Sequence, residues 1–201
     1  MTAQPSTAPP PVRTGLVPPC RLRRATDADA DAVLRWRNHP KVRQASFTRR
    51  PISAPEHAAW WRRVSADPAH HLLIFEWQGV AAGVVTLHEP TPADGSAGWA
   101  FYLDVDGLQR IGALLPAWVA AERAALGYAF DTAGLRVLRG EVLAENRPVL
   151  DLHRRFGFAV TGTHQRDIDG VRHDVLRVEL TCDDRRDAPR RHHDRPAGAA
   201  R

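Results

Sequence analysis

The segment LAENRPVLDLHRRFGF, residues 143–158, carries a single imidazole inside a short apolar-periodic run. Asn146 stands ahead of the run. Gly157 ends it, as glycine does by taking a left-handed conformation that is costly for other residues. A helix so bounded holds His153 at a fixed place, with Phe156 and Phe158 anchoring its end. An imidazole titrates near neutrality and can give or take a proton. His88 and Glu89 close the run VVTLHE and are a second acid–base pair. Glu56 and His57 are a third, although Ser53-Ala-Pro-Glu56 also fits a capping box with proline in the first turn. Gln109-Arg110-Ile111-Gly112-Ala113 has a different use. Gly112 admits close backbone approach, and a helix follows whose N-terminal N–H groups and dipole favour an anion such as a diphosphate.

The elements that must position these groups follow from periodicity and punctuation. CRLRRA alternates as a strand, and Thr26 caps a helix that runs to about Arg37 and stops at Asn38-His39-Pro40. A second helix continues from Ser53 through Val64. HHLLIFEW and VAAGVVTLHE form a hairpin around Gln78-Gly79, and GSAGWAFYLD is the next strand. Residues 105–112 read as a loop before the helix LLPAWVAAERAALGYAFDT, in which Pro116 fits only near the start. VLRGEVLAE is a strand, the His153 helix follows, and a final hairpin closes around Asp169-Gly170. The order β-α-α-β-β-β-α-β-α-β-β predicts a mixed α/β (α+β) layer, a mostly antiparallel central sheet flanked by helices.

Composition narrows the classes. The 201 residues are 43% hydrophobic and 25% charged, ordinary for one globular domain. No apolar run nears the roughly 20 residues that span a bilayer, and the start lacks a basic region followed by an apolar one, so a cytoplasmic protein is expected. Residues 1–19, rich in Pro and Ala, and the Arg/Asp-rich residues 182–201 read as disordered tails around a folded unit at 20–181. Cys20 and Cys182 have neither disulfide-framework nor metal-ligand spacing, so free thiols and no metal are expected. The net charge of +5 is almost all arginine, Lys41 being the sole lysine. No aromatic-interleaved basic stripe supports nucleic-acid binding, whereas a mild positive bias suits a small anionic ligand.

This order, with Asn146 opening a helix that ends Phe156-Gly157-Phe158 and with the Gln109–Ala113 loop, resembles the GNAT (GCN5-related N-acetyltransferase) family over residues 20–181. Trp36-Arg37-Asn38, Val42-Arg43, Ile52, Glu56-His57 and Trp60, with Trp99-Ala-Phe-Tyr102 and Leu152-His153, resemble the subgroup that acetylates a UDP-linked 4-amino sugar in pseudaminic acid synthesis. The resemblance implies acetyl-CoA as acyl donor. Its diphosphate would rest on Gln109, Arg110, Gly112 and Ala113, and its pantetheine arm between the Trp99 strand and the strand of residues 137–143, beside Asn146. Leu114 stands where the family has a small residue, and Pro116 removes an N–H one turn on. In many relatives a tyrosine occupies the place of His153 and protonates the leaving thiolate. An imidazolium can do the same, since its reference pKa of about 6.5 lies below the roughly 8.5 of a thiol. His88 and Glu89 are then the leading general bases. Arg37, Asn38, Arg43, Glu56, His57 and Tyr102 would line the acceptor pocket. Direct attack in a ternary complex is expected, on a small-molecule primary amine, by a monomer or homodimer. The alternatives are a protein N-terminal or aminoglycoside-type acetyltransferase, and a degenerate domain that binds coenzyme A as an interaction module.

Overall fold

The computed structural model describes residues 20–185; residues 1–19 and 186–201 lie outside the described residues, whereas residues 182–185, expected to belong to a disordered tail, form a helical turn in which the Asp184 N–H donates to the Thr181 hydroxyl at 3.0 Å. The chain runs β1 (Cys20–Arg24), α1 (Ala30–Asn38), α2 (Pro40–Gln44), α3 (Ala54–Ala66), β2 (His71–Trp77), β3 (Val80–Thr91) and β4 (Ser96–Leu103). It continues with α4 (Val105–Arg110), α5 (Leu114–Gly127), β5 (Val137–Leu143), α6 (Arg147–Arg155), β6 (Ala159–Ile168) and β7 (Val171–Thr181). The strands form one sheet in the order β1-β2-β3-β4-β5-β7-β6. Every neighbouring pair is antiparallel except β4 and β5. The mixed, mostly antiparallel sheet expected from the sequence is therefore present.

Two short helices replace expected punctuation. Pro40 does end α1, but it also sits in the first turn of α2, where its missing N–H costs nothing. Residues 105–110, expected as loop, form α4, whose start is capped by Asp104 accepting from the Gly107 N–H at 3.0 Å. The two hairpin turns are as read. Gln78-Gly79 and Asp169-Gly170 both hold positive φ at both positions, the mirror-image geometry that matches strand twist.

Strand alternation divides the core between two faces. Leu72, Ile74 and Val84 meet Val33, Trp36, Trp61 and Val64 of α1 and α3. On the other face, Leu73, Val85, Leu87 and Leu138 meet Ala125 and Leu126 of α5 and Leu150 of α6. Ala117, Ala121 and Ala125 recur at one helical face of α5 and are fully buried, so the helix backbone lies close to the sheet.

An ionic cluster with two buried carboxylates, Asp29 and Glu76, joins β1 to β2 and to the start of α1. Arg23 donates two hydrogen bonds to Asp29 at 2.7 and 2.8 Å, and Arg21 and Arg23 both pair with the buried Glu76. Asp29 also accepts from the Thr26 N–H. The Arg23 hydrogen bonds lower the Asp29 pKa from 3.8 to about 2, and those of Arg21 and Arg23 lower Glu76 as well. A carboxylate depressed in the folded state stabilises fully above its unfolded pKa and loses that contribution as pH falls through the folded value. Stability is therefore expected to drop between about pH 4 and pH 2, with Asp29 alone worth about 2 kcal/mol. Urea midpoints across that range check this, and Asp29→Asn should flatten the profile.

Candidate active site

The sheet opens between β4 and β5. The two strands pair only across residues 96–98 and 137–139. Beyond that point residues 99–103 pair only with β3, and residues 140–143 only with β7. Each strand thus turns an unpaired edge of N–H and C=O groups toward the other. Such an edge accepts an extended, amide-bearing chain as it would accept a strand.

Aromatic rings floor this gap on the α5/α6 side. Trp99 is stacked 5.4 Å from Phe101 and 5.5 Å from Phe158, and the His153 ring lies 5.3 Å from Trp99 and 4.9 Å from Phe158. Gly157, with φ 95°, makes the turn that returns Phe158 to this stack. The indole N–H of Trp99 is buried and has no hydrogen-bond partner among the described residues. A Cβ on Gly140 would stand 3.2 Å from that nitrogen, so the N–H sits against β5 at the head of the gap. A buried donor without a partner is costly, and a ligand carbonyl there would satisfy it.

His153 is buried in α6, and its Nδ1 lies 2.8 Å from Oε1 of Glu122 on α5. Glu122 is itself fully buried. Burial raises its pKa, and the hydrogen bond with His153 opposes that. Sequence reasoning passed over Glu122. The signal was a lone carboxylate on the alanine-lined face of an otherwise apolar helix.

Asn146 occupies the cap position of α6, yet its side chain makes no capping bond. Only its backbone is engaged, the N–H donating to the Leu143 carbonyl at 2.9 Å. The amide remains available at the end of β5. In the loop ahead of α5, Gly112 has φ 65° with open space where a Cβ would be, so glycine is needed there for its backbone conformation. The Gly112 and Ala113 N–H groups donate to the Gln109 and Leu108 carbonyls, and α5 opens at Leu114 without a side-chain cap. Gln109 and Arg110 are exposed beside it.

The opposite face carries a cavity of about 640 Å³ over Gly98 and Ala100. His88 and Glu89 line it, together with Phe47, Arg139, Glu141, Arg166, Arg177 and Glu179. Most of its charges are paired. Arg139 bonds Glu179, Ser96 and Asp94. Glu141 lies 3.5 Å from Arg166 and 3.9 Å from Arg177. Arg166 also stands over the Phe47 ring at 4.1 Å. Glu89 is the exception, a lining carboxylate with no hydrogen bond or ion pair among the described residues. It sits at a bulge in β3 with φ 50°, a conformation unusual for a residue with a side chain. His88 packs on His70 at 6.1 Å, and burial holds its pKa below the ordinary value, which favours the neutral ring. A Cβ on Gly98 would lie 2.6 Å from its Nε2. Gly98→Ala is therefore expected to displace the His88 ring and lower kcat/KM for the amine about tenfold, leaving acetyl-CoA binding intact. Steady-state kinetics beside a calorimetric titration of the donor separate the two effects.

The remaining candidates are placed elsewhere, and none lines the cavity. Asn38 gives both ends of its amide to the Ile52 backbone, at 2.7 and 2.8 Å. Arg43 donates to the Asn38 and Arg49 carbonyls and Arg37 to the Thr48 carbonyl. These three side chains order the loop between α1 and α3. Glu56 is exposed and pairs with Arg50, and its N–H donates to the Ser53 hydroxyl that caps α3, as the capping-box reading expects. His57 is buried against Trp60 and Trp61. Tyr102 packs on the α1/α3 cluster, and burial pushes its phenol pKa up.

Among the described residues no group of three His, Cys, Asp or Glu is arranged to hold a metal, and Cys20 and Cys182 are free. No described helix is long and apolar enough to cross a membrane.

A strand pair splayed around an unpaired edge, with a glycine-turned loop ahead of the next helix, is an opening that suits an extended, amide-bearing ligand. The acetyltransferase (GNAT) domain model matches residues 20–159, and the chain belongs to that family. It is an acetyl-CoA-dependent N-acyltransferase. Among solved structures it is similar to the spermidine N-acetyltransferase of Vibrio cholerae in complex with CoA and spermine. That likeness has a TM-score of 0.71 at 20% identity, over 83% of this chain and 98% of the other. A structure provisionally named a phosphinothricin N-acetyltransferase matches with a TM-score of 0.65 at 22% identity, over 81% and 98%. No curated protein matches.

Proposed function

We propose that the protein moves an acetyl group from acetyl-CoA to the primary amine of a small molecule that also bears anionic groups, a nucleotide-linked amino sugar being the first candidate. One observation carries this reading. The cavity sets the unpaired Glu89 near Arg166 and Arg177, which reach Glu141 only at 3.5 and 3.9 Å, so it offers a carboxylate to an ammonium and loosely held guanidiniums to a phosphate or carboxylate. A purely cationic polyamine would meet the arginines as well as the acids. Recognition of the anion passes in this reading from Arg37, Asn38 and Arg43, which do not line the cavity, to the arginines of β5, β6 and β7, which do.

Acetyl-CoA supplies the activated acyl group as a thioester. Asn146 and the strand edges at residues 99–103 and 140–143 hold the pantetheine arm, and the Trp99 N–H is a further donor at the head of the gap. Gln109 and Arg110, with the uncapped start of α5 that the Gly112–Ala113 turn presents, form the diphosphate site. Glu89, with His88 beside it, takes the proton of the incoming ammonium. The freed nitrogen forms the new N–C bond as the C–S bond breaks, its second proton passes to solvent, and His153 gives the leaving thiolate its proton. This is direct transfer in a ternary complex within a cytoplasmic enzyme.

The test is thiol release from acetyl-CoA against a panel: a UDP-linked 4-amino sugar, an amino acid, spermidine, an aminoglycoside and a peptide N-terminus. The expected result is a kcat/KM for the anion-bearing amines at least about tenfold above that for spermidine. A preference for spermidine would overturn the acceptor assignment. Coenzyme A binding without release against any amine would favour the binding-module alternative.

A further inference from the structure

We propose that Glu122 is a positioning residue for His153, fixing the imidazole with Nδ1–H toward α5 and leaving Nε2 for the reacting sulfur. The inference rests on the reading of His153 as the proton donor to the thiolate. Its geometric basis is independent of that reading. Oε1 of Glu122 lies 2.8 Å from Nδ1, and both side chains are buried. The two residues come from different helices, α5 and α6, so the bond also ties the two elements that face the β4/β5 gap. Nothing else on this face of α5 needs a carboxylate. Its buried neighbours are Ala117, Ala121, Ala125 and Leu126, and Oε2 of Glu122 has no partner among the described residues. Placing a carboxylate in such a site is costly unless it has a partner to hold.

The ring is confined on its faces as well. Trp99 and Phe158 pack against it at 5.3 and 4.9 Å, so the Glu122 bond selects between the two flips of a ring already held in place. With Nδ1–H donating to Oε1, the neutral ring keeps its lone pair on Nε2, and the protonated ring carries there the proton to be given. When the C–S bond breaks, that proton passes from Nε2 to sulfur. His153 returns to neutral with Nδ1–H unchanged, and solvent restores the proton in the next turnover. A second-sphere carboxylate that fixes an imidazole in this way is a familiar device of proton-transfer sites.

Two variants and one spectrum test this. Glu122→Gln keeps an oxygen that can accept from Nδ1–H, whereas Glu122→Leu of similar bulk removes it. With acetyl-CoA and the best amine of the panel, Glu122→Leu is expected to lower kcat about 100-fold with KM for acetyl-CoA changed less than about threefold. Glu122→Gln should restore kcat to within about tenfold of the parent. Long-range ¹H–¹⁵N spectra of the histidine rings, assigned with His153→Ala, should place the neutral proton on Nδ1 in the parent and in Glu122→Gln. A parent ring protonated on Nε2 would overturn the proposal, as would a folded Glu122→Leu with kcat within twofold of the parent. If Glu122→Leu does not fold, the parent spectrum and the Gln variant still decide. A parent that releases no thiol with any amine counts against the function itself, and the tautomer spectrum still reports on Glu122.

Discussion

His153→Ala is expected to lower kcat by about 10²–10³-fold while acetyl-CoA still binds within a few-fold of the parent affinity. In the proposed mechanism His153 acts on the leaving group and contributes little to holding the donor. Its ring is buried beside Trp99 and Phe158 at the gap. In the same proposal the donor's grip is spread over the strand edges, Asn146 and the loop at Gly112. Loss of the ring also leaves a void in an aromatic stack, so a fall in stability accompanies the fall in rate, and denaturant midpoints must be measured beside the kinetics. His153→Tyr separates the two contributions. A phenol fills the space and holds its proton to about pH 10, so this variant should recover activity and move the alkaline limb of the kcat profile upward. An alanine variant with unchanged kcat would remove His153 from the chemistry.

Glu89→Gln is expected to lower kcat/KM for the amine by about 10²–10⁴-fold at neutral pH. Glu89 is the cavity carboxylate left without an ion pair, and it is held by a bulge in a left-handed conformation that costs energy. The sign of the pH dependence follows from the substrate. An ordinary amine ionises near pH 10, so at neutral pH a base must take its proton, and as pH rises toward that value the need lapses. The deficit of Glu89→Gln should therefore shrink as pH rises. If the deficit lies instead in His88→Ala, with Glu89→Gln near the parent, the neutral imidazole is the base and Glu89 only anchors the ammonium.

The fold was legible wherever local chemistry decides it. Gln78-Gly79 and Asp169-Gly170 announced their turns, and the strand and helix periods around them were long enough to read. The short helices were not. Gly107 inside α4 disguises a helix that depends on the Asp104 cap, and Pro40 looks like a stop while serving as a start. The site divides in the same way. His153, Asn146 and Gly112 are marked by the turns and helix ends that hold them. The charged wall of the cavity is made by register. Glu141 faces Arg177 and Arg139 faces Glu179 because β5 and β7 pair at those positions, which no single strand reveals. Conversely, Asn38 and Arg43 have the right types for an anion site but are occupied by the backbone of their own loop, and Arg37 gives one nitrogen to the Thr48 carbonyl while its other terminal nitrogen is buried without a partner among the described residues.

The most direct test of the central claim, that the gap between β4 and β5 receives acetyl-CoA, is a titration of acetyl-CoA into ¹⁵N-labelled protein. The Trp99 indole N–H, buried without a partner, is the principal reporter. The expected result is a large downfield shift of that resonance, with backbone shifts confined to residues 99–103, 112–115 and 140–146. Saturable binding that leaves the indole N–H and both strand edges unmoved would place the donor elsewhere and contradict the account.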